Sequence, residues 1–249
     1  MTQVSKAVLL AALGTTCAVA GAAPSAAEAK KGEPLVEQMV VLRDGTTTLR
    51  TVAAKRTTFE VEGRDCVVPA GTAMASLLQT RWRSQVRLRD YGSCSNRPID
   101  SAGLFVKVIR RDVNRGLNGW VYKVGRKLGT AGAADPAGPF GAGRLRSSQR
   151  VVWLYCVFVE ASCQRSLEIN LDVSGRSFAA TVTGYNDAGE GVPIAGARIT
   201  ARVSGGTAVA AISESDGRAT LVVPATGRYV LRASKAGLIP AFPEKVDVD

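Results

Sequence analysis

The sequence predicts a chain in two parts: an α+β half of β-grasp type, in which a mixed sheet wraps one helix, and an all-β immunoglobulin-like sandwich. Three observations carry this. "GTAMASLLQTRW" has helical periodicity inside a run of strands. The segments on either side alternate or are rich in β-branched and aromatic residues, as strands are. Near residue 165 the composition shifts from arginine, cysteine and aromatics to short Thr/Val/Ala runs broken by glycine. The expected boundaries are a leader over 1–29, a linker or first strand over 30–50, the β-grasp half over 51–164 and the sandwich over 165–249.

In chain order, Lys6 precedes the apolar run Ala7–Leu13 and then small residues, the pattern of a secretory leader. Cleavage after Ala20, Ala22 or Ala29 fits. Gly14, three places before Cys17, does not fit a lipoprotein signal. No other apolar run approaches the roughly 18 residues needed to cross a bilayer, so an exported protein without a membrane span is expected.

"TLRTVAAKRTTFEVEGRDCVVPAGTA" reads as two extended segments about a turn at Glu62–Asp65. Met74, Leu77, Leu78 and Trp82 then share one helical face, with Thr72 placed as N-cap. "SQVRLRDYG", "GLFVKVIRR", "GWVYKVG" and "QRVVWLYCVFVE" return to strand. Beyond residue 165, seven segments from "SLEINLDVS" to "EKVDVD" have the cadence of a sandwich.

Without Cys17 four cysteines remain, an even number that points to disulfides in an oxidising compartment. Three pairings are possible, and the local one, Cys66 with Cys94 and Cys156 with Cys163, is favoured. Their spacing lacks the close pairs of a zinc site, so no metal is expected. Histidine is absent, which removes Ser-His-Asp and Cys-His devices and the usual neutral-pH base. A histidine-free hydrolase or transferase is the remote alternative. Asp90 and Asp135, the two carboxylates worth watching, read more simply as turn or salt-bridge residues.

The net charge of +11 is unevenly placed. Residues 30–164 hold 22 basic and 11 acidic side chains; from Arg165 onward there are nine of each. Basic residues recur at outward strand positions or in loops, among them Arg87, Arg89, Lys107, Lys123, Arg126 and Arg150. Such a field attracts polyanions such as those of a cell envelope. Specific nucleic-acid recognition is not expected, because aromatics do not interleave clearly with the cations.

Two W-x-Y strands, Trp120/Tyr122 and Trp153/Tyr155, bracket a glycine-rich loop. Residues two apart share a strand face, so the four rings are expected together, either as core or as an aromatic shelf beside a small-ligand groove rimmed by the loop. Tyr91 is the fifth candidate. The loop glycines fit neither a Walker A nor a dinucleotide fingerprint.

From Val67 to Phe158, Gly71-Thr72, Tyr91-Gly92, Asn118-Gly119-Trp120-x-Tyr122-x-Val124-Gly125 and Leu145…Val151-x-Trp153-x-Tyr155 resemble the transcobalamin-like C-terminal β-grasp family. The resemblance implies a bacterial exported protein with ligand-binding aromatics. Cobalamin enters only through it; otherwise no cofactor is expected. "GEGVPIAGARITARV", "SESDGRATLVVP" and "GRYVLRASKAGLIPA" resemble the carboxypeptidase-regulatory-like or prealbumin-like sandwich, which implies a spacer or docking role. The function expected is therefore that of an exported, non-catalytic binding protein, with envelope or polyanion adhesion as the alternative.

Overall fold

The computed structural model describes residues 32–159 and 161–249; the expected leader, with Cys17, lies outside the described residues. Strand makes up 49% of the chain and helix 6%. This overturns the α+β expectation for the first half: the molecule is all-β in class.

The expected helix shrinks to Ala73–Leu77 (α1). Thr72 caps it as anticipated, its hydroxyl accepting from Ala75 N–H at 3.1 Å. Two residues later the ladder tightens. The N–H groups of Gln79 and Thr80 donate to carbonyls only three residues back, and the hydroxyls of Ser76 and Thr80 bond back to Ala73 and Leu77. Such back-bonding and three-residue closure end a helix, so Trp82 sits on a separate turn. Five residues cannot fill a concave sheet; strands and loops fill it instead.

The first half is built on one mixed sheet. Leu35–Val41 (β1) and Thr47–Ala53 (β2) form a hairpin, so the segment offered as linker or first strand holds β1 and the start of β2, with β2 at the sheet edge. Thr57–Val61 (β3) and Arg64–Val68 (β4) pair across Glu62 and Gly63, both at positive φ as a two-residue hairpin turn requires. Val86–Asp90 (β5), Leu104–Ile109 (β6) and Asp112–Val113 (β7) make a three-stranded sheet. Gly119–Val124 (β8), Lys127–Leu128 (β9) and Arg150–Cys156 (β10) complete the main sheet, in the order β2-β1-β10-β8-β9, with β1 and β10 parallel. Cys66 and Cys94 are joined, tying β4 to the segment after β5; Cys156 and Cys163 are joined just after β10.

The second half is an immunoglobulin-like sandwich of eight strands, one more than expected. Ser166–Ser174 (β11), Ser177–Tyr185 (β12), the unforeseen Gly191–Pro193 (β13) and Arg218–Val222 (β16) form one sheet. Arg198–Val203 (β14), Val209–Ile212 (β15), Gly227–Ser234 (β17) and Glu244–Val248 (β18) form the other. Phe178 and Tyr229 meet edge-on at 5.9 Å across their shared core.

β10 is buried on both faces. Val151, Trp153 and Tyr155 enter the core of the first half, while Val152, Leu154 and Cys156 join Met39, Val41, Cys163 and Ile239 in a second cluster at the junction of the halves. Ion pairs frame that cluster. Arg150 reaches Glu37 and Glu244 at 2.9 and 2.6 Å, and Arg126 pairs with Glu168. Lys123 is completely buried. Its Nζ lies 3.1 Å from Asp187 Oδ1 and donates to the carbonyls of Tyr185 and Asn186. The outward placement expected of Lys123 is therefore wrong, because the sandwich covers that face; Arg126 stays exposed in the turn after β8, and Arg150 is partly covered.

Two predictions follow from this packing. Burial lowers the Lys123 pKa and Asp187 opposes the shift, so Asp187→Ala strands a buried cation and costs about 3–5 kcal/mol in urea unfolding. A lysine held below its ordinary value of 10.5 binds fewer protons folded than unfolded, and stability then rises with pH. The Asp187→Ala deficit therefore narrows as pH climbs towards 10.5, and the double variant K123M/D187A regains much of the loss at neutral pH. Separately, Gln38 on the core face of β1 is 1% exposed, and neither amide atom has a hydrogen-bond partner. Gln38→Met removes that penalty without changing shape and raises unfolding free energy by about 1–3 kcal/mol.

Candidate functional site

β8 and β10 set Trp153 opposite Tyr122 and Tyr155 opposite Trp120. Side chains directly opposed on one face interact, and here they do. Trp120 meets Tyr155 edge-on at 5.7 Å, and Tyr122 lies tilted against Trp153 at 5.4 Å. All four rings belong to the core of the first half.

Their polar atoms are bound by backbone carbonyls. Trp120 Nε1 donates to Asp112, Trp153 Nε1 to Ala73, Tyr122 Oη to Ala131 and Tyr155 Oη to Val113, over 2.8–3.3 Å. What the rings offer a ligand is therefore apolar surface rather than donors.

Such surface opens into a cavity of about 320 Å3 between β6 and β8. Trp120, Tyr122 and Trp153 line it, facing Leu104–Val106 of β6 and the segment Leu128–Ala133. The rim is the glycine-rich loop, which is tied down. Thr130 and Ala131 N–H both donate to Pro139 O, Met74 N–H donates to Ala133 O, and Ser101 Oγ bonds Ala134 O. Gly129 packs so closely on the Tyr122 ring that a Cβ there would lie 2.2 Å from it. At Gly138, with φ +88°, a Cβ would meet Gly143 O at 1.8 Å. The glycines thus let the loop fold onto itself and onto Tyr122.

Of the five sequence-predicted ligand residues, three line the cavity. Tyr155 stands behind Trp120 and does not line it. Tyr91 is elsewhere, just past the end of β5, 67% exposed, against Phe105 and beneath the Arg89 guanidinium. The β6 edge, which forms the opposite wall, was not singled out by sequence, because "LFVKVI" reads as an ordinary alternating strand. Asp90 caps a turn, accepting from Gly92 and Cys94 N–H and pairing with Arg64; Asp135 accepts from Ala137 N–H. Among the described residues no group of three or more histidine, cysteine, aspartate or glutamate side chains is placed to hold a metal ion, and no helix is long and apolar enough to cross a membrane.

No family model and no curated protein matches the chain. Among solved structures, the D00-D0 domain of Intimin is similar at 20% identity over 68% of this chain and 81% of that chain, with a TM-score of 0.21. A likeness of that size carries no argument, and the transcobalamin-like resemblance rests on its motifs alone.

Burial, helped by the charge of Asp135, pushes the Tyr122 phenol up to about 12. In the folded chain the proton stays on after an unfolded tyrosine, near 10, has lost it. Stability is therefore lost as pH rises from about 10 towards 12, by up to about 1.4 kcal/mol per pH unit. Tyr122→Phe removes that contribution, which unfolding curves across the window will show as a flatter profile.

Proposed function

We propose that the chain is an exported, non-catalytic binding protein that takes a compact, largely apolar ligand in the cavity between β6 and β8, with the immunoglobulin-like half as spacer or docking surface. The observation supporting this is the cavity itself: three aromatic side chains line a preformed recess whose rim is pinned by backbone hydrogen bonds. Its volume of about 320 Å3 lies at the small end of the range for ligand pockets, roughly 300–1,000 Å3. That volume favours a compact ligand over a whole tetrapyrrole such as the cobalamin implied by the transcobalamin-like motifs. The absence of histidine and the engagement of Asp90 and Asp135 in turns support a role without catalysis.

The test is a thermal-shift screen with small aromatic and cyclic probes, and with cyanocobalamin, at about 50 and about 200 mM salt. A compact probe should stabilise the protein equally at both salts. Thr130→Trp, which adds bulk at the exposed rim, should abolish the shift while leaving the unliganded melting point unchanged. If no compact probe stabilises the protein, or if the rim variant responds like the parent, the recess is only core.

A further inference from the structure

Part of the excess positive charge of the first half is gathered on one sheet face. On the outer face of β5 and β6, Arg87 and Arg89 stand beside Phe105 and Lys107, with Arg89 directly opposite Phe105 in the ladder. The inward partners Val86, Leu88, Leu104, Val106 and Ile109 are buried and hold the face rigid. Among the described residues none of Arg87, Arg89 and Lys107 has a carboxylate within salt-bridge distance, whereas Arg64, Arg97, Arg111, Arg126 and Arg150 all do.

The nearby carboxylates are already committed. Asp90 is enclosed by Gly92, Cys94 and Arg64, and Asp100 by Ser95 and Arg97. Glu60 and Glu62 lie across the adjacent groove from Arg81, Arg83 and Arg87. Two large aromatics lie exposed among the cations, Tyr91 at 67% and Phe105 at 48%, their rings 5.2 Å apart.

We propose that this face of β5 and β6 docks a linear polyphosphodiester whose repeating unit carries a sugar or polyol rather than a base. Arginines at alternate strand positions have Cα atoms about 6.6 Å apart along one strand, and a guanidinium takes a phosphate through paired hydrogen bonds. The exposed aromatics give the intervening apolar atoms a surface. Base stacking is the poorer fit at Tyr91, where the Arg89 guanidinium lies 4.8 Å from the ring centre and occupies one face. The site is separate from the recess, although Phe105 borders both.

The experiment titrates the full chain with synthetic poly(glycerol phosphate) at several salt concentrations. Three variants are compared: R87A/R89A/K107A on the face, R50A/K55A/R146A at exposed cations elsewhere in the first half, and the parent. Each phosphate contact on a single strand contributes about 0.7 to the slope of log affinity against log salt. The face triple should therefore flatten that slope by about 2, and the control triple should leave it unchanged. Equal losses in both triples, or none in the face triple, would show that the charge acts diffusely and overturn the proposal. Oligothymidylate or anionic vesicles held as tightly through the same residues would overturn the choice of partner. If the face triple does not fold, R87K/R89K keeps the charge without the forks; it should keep the salt slope and lose affinity, and unchanged affinity overturns the site.

Discussion

Everything in this molecule hangs on β10 being covered twice. A strand with one wet face can tolerate polar residues at every second position. Here Val151, Trp153 and Tyr155 face one core and Val152, Leu154 and Cys156 another. The result is a near-continuous apolar run, as expected of a strand buried on both sides and paired in parallel with a neighbour. A one-residue slip in register would exchange the two sets, sending Trp153 into the junction and Leu154 beneath α1. The aromatic recess and the seating of the sandwich are thus fixed by the same ladder, and neither can be repacked without disturbing the other.

The junction is unusual in spending charge where hydrophobic contact would serve. Lys123 has no exposed surface; its ammonium donates to two carbonyls and forms an ion pair with Asp187, whose Oδ1 lies 3.1 Å away. A buried ion pair adds little net stability against an apolar replacement. Here it ties the Tyr185–Asp187 turn of the sandwich to β8. The Cys156–Cys163 bridge acts on the same turn from the other side, since Cys163 N–H donates to Asp187 Oδ2.

Much of this was readable from sequence, and what was missed shares one cause. The strands of the sandwich follow from alternation and glycine-bearing turns, both local signals. The disulfide pairs follow from short separations, and the Thr72 cap from its place ahead of an apolar run. The helix length failed because Ser76 and Thr80 turn their hydroxyls back onto the backbone, which a pattern of Met74, Leu77, Leu78 and Trp82 does not reveal. Lys123 failed because its surroundings come from residues about sixty positions later. Tyr91 was grouped with the other aromatics by residue type, and the Gly92–Gly103 approach carries it to another sheet. Each miss lies where a distant segment overrides a local rule.

Charge follows the same logic. The sequence shows an excess of 11 cations over residues 30–164 but not which of them are neutralised. Folding sorts them. Lys123, Arg126 and Arg150 at the junction acquire carboxylates, and Arg87, Arg89 and Lys107 on β5 and β6 do not; the one acidic side chain on β5, Asp90, faces inward and is consumed by a turn. Period-two alternation puts Val86, Leu88 and Asp90 on one face and leaves Arg87 and Arg89 alone on the other. An evenly solvated basic surface would intersperse its signs; a strand pair that buries its acid and exposes its arginines builds a field with a direction. On that face unneutralised cations stand beside exposed aromatics, and on this juxtaposition, rather than on the total of +11, the proposed docking of an extended anion rests.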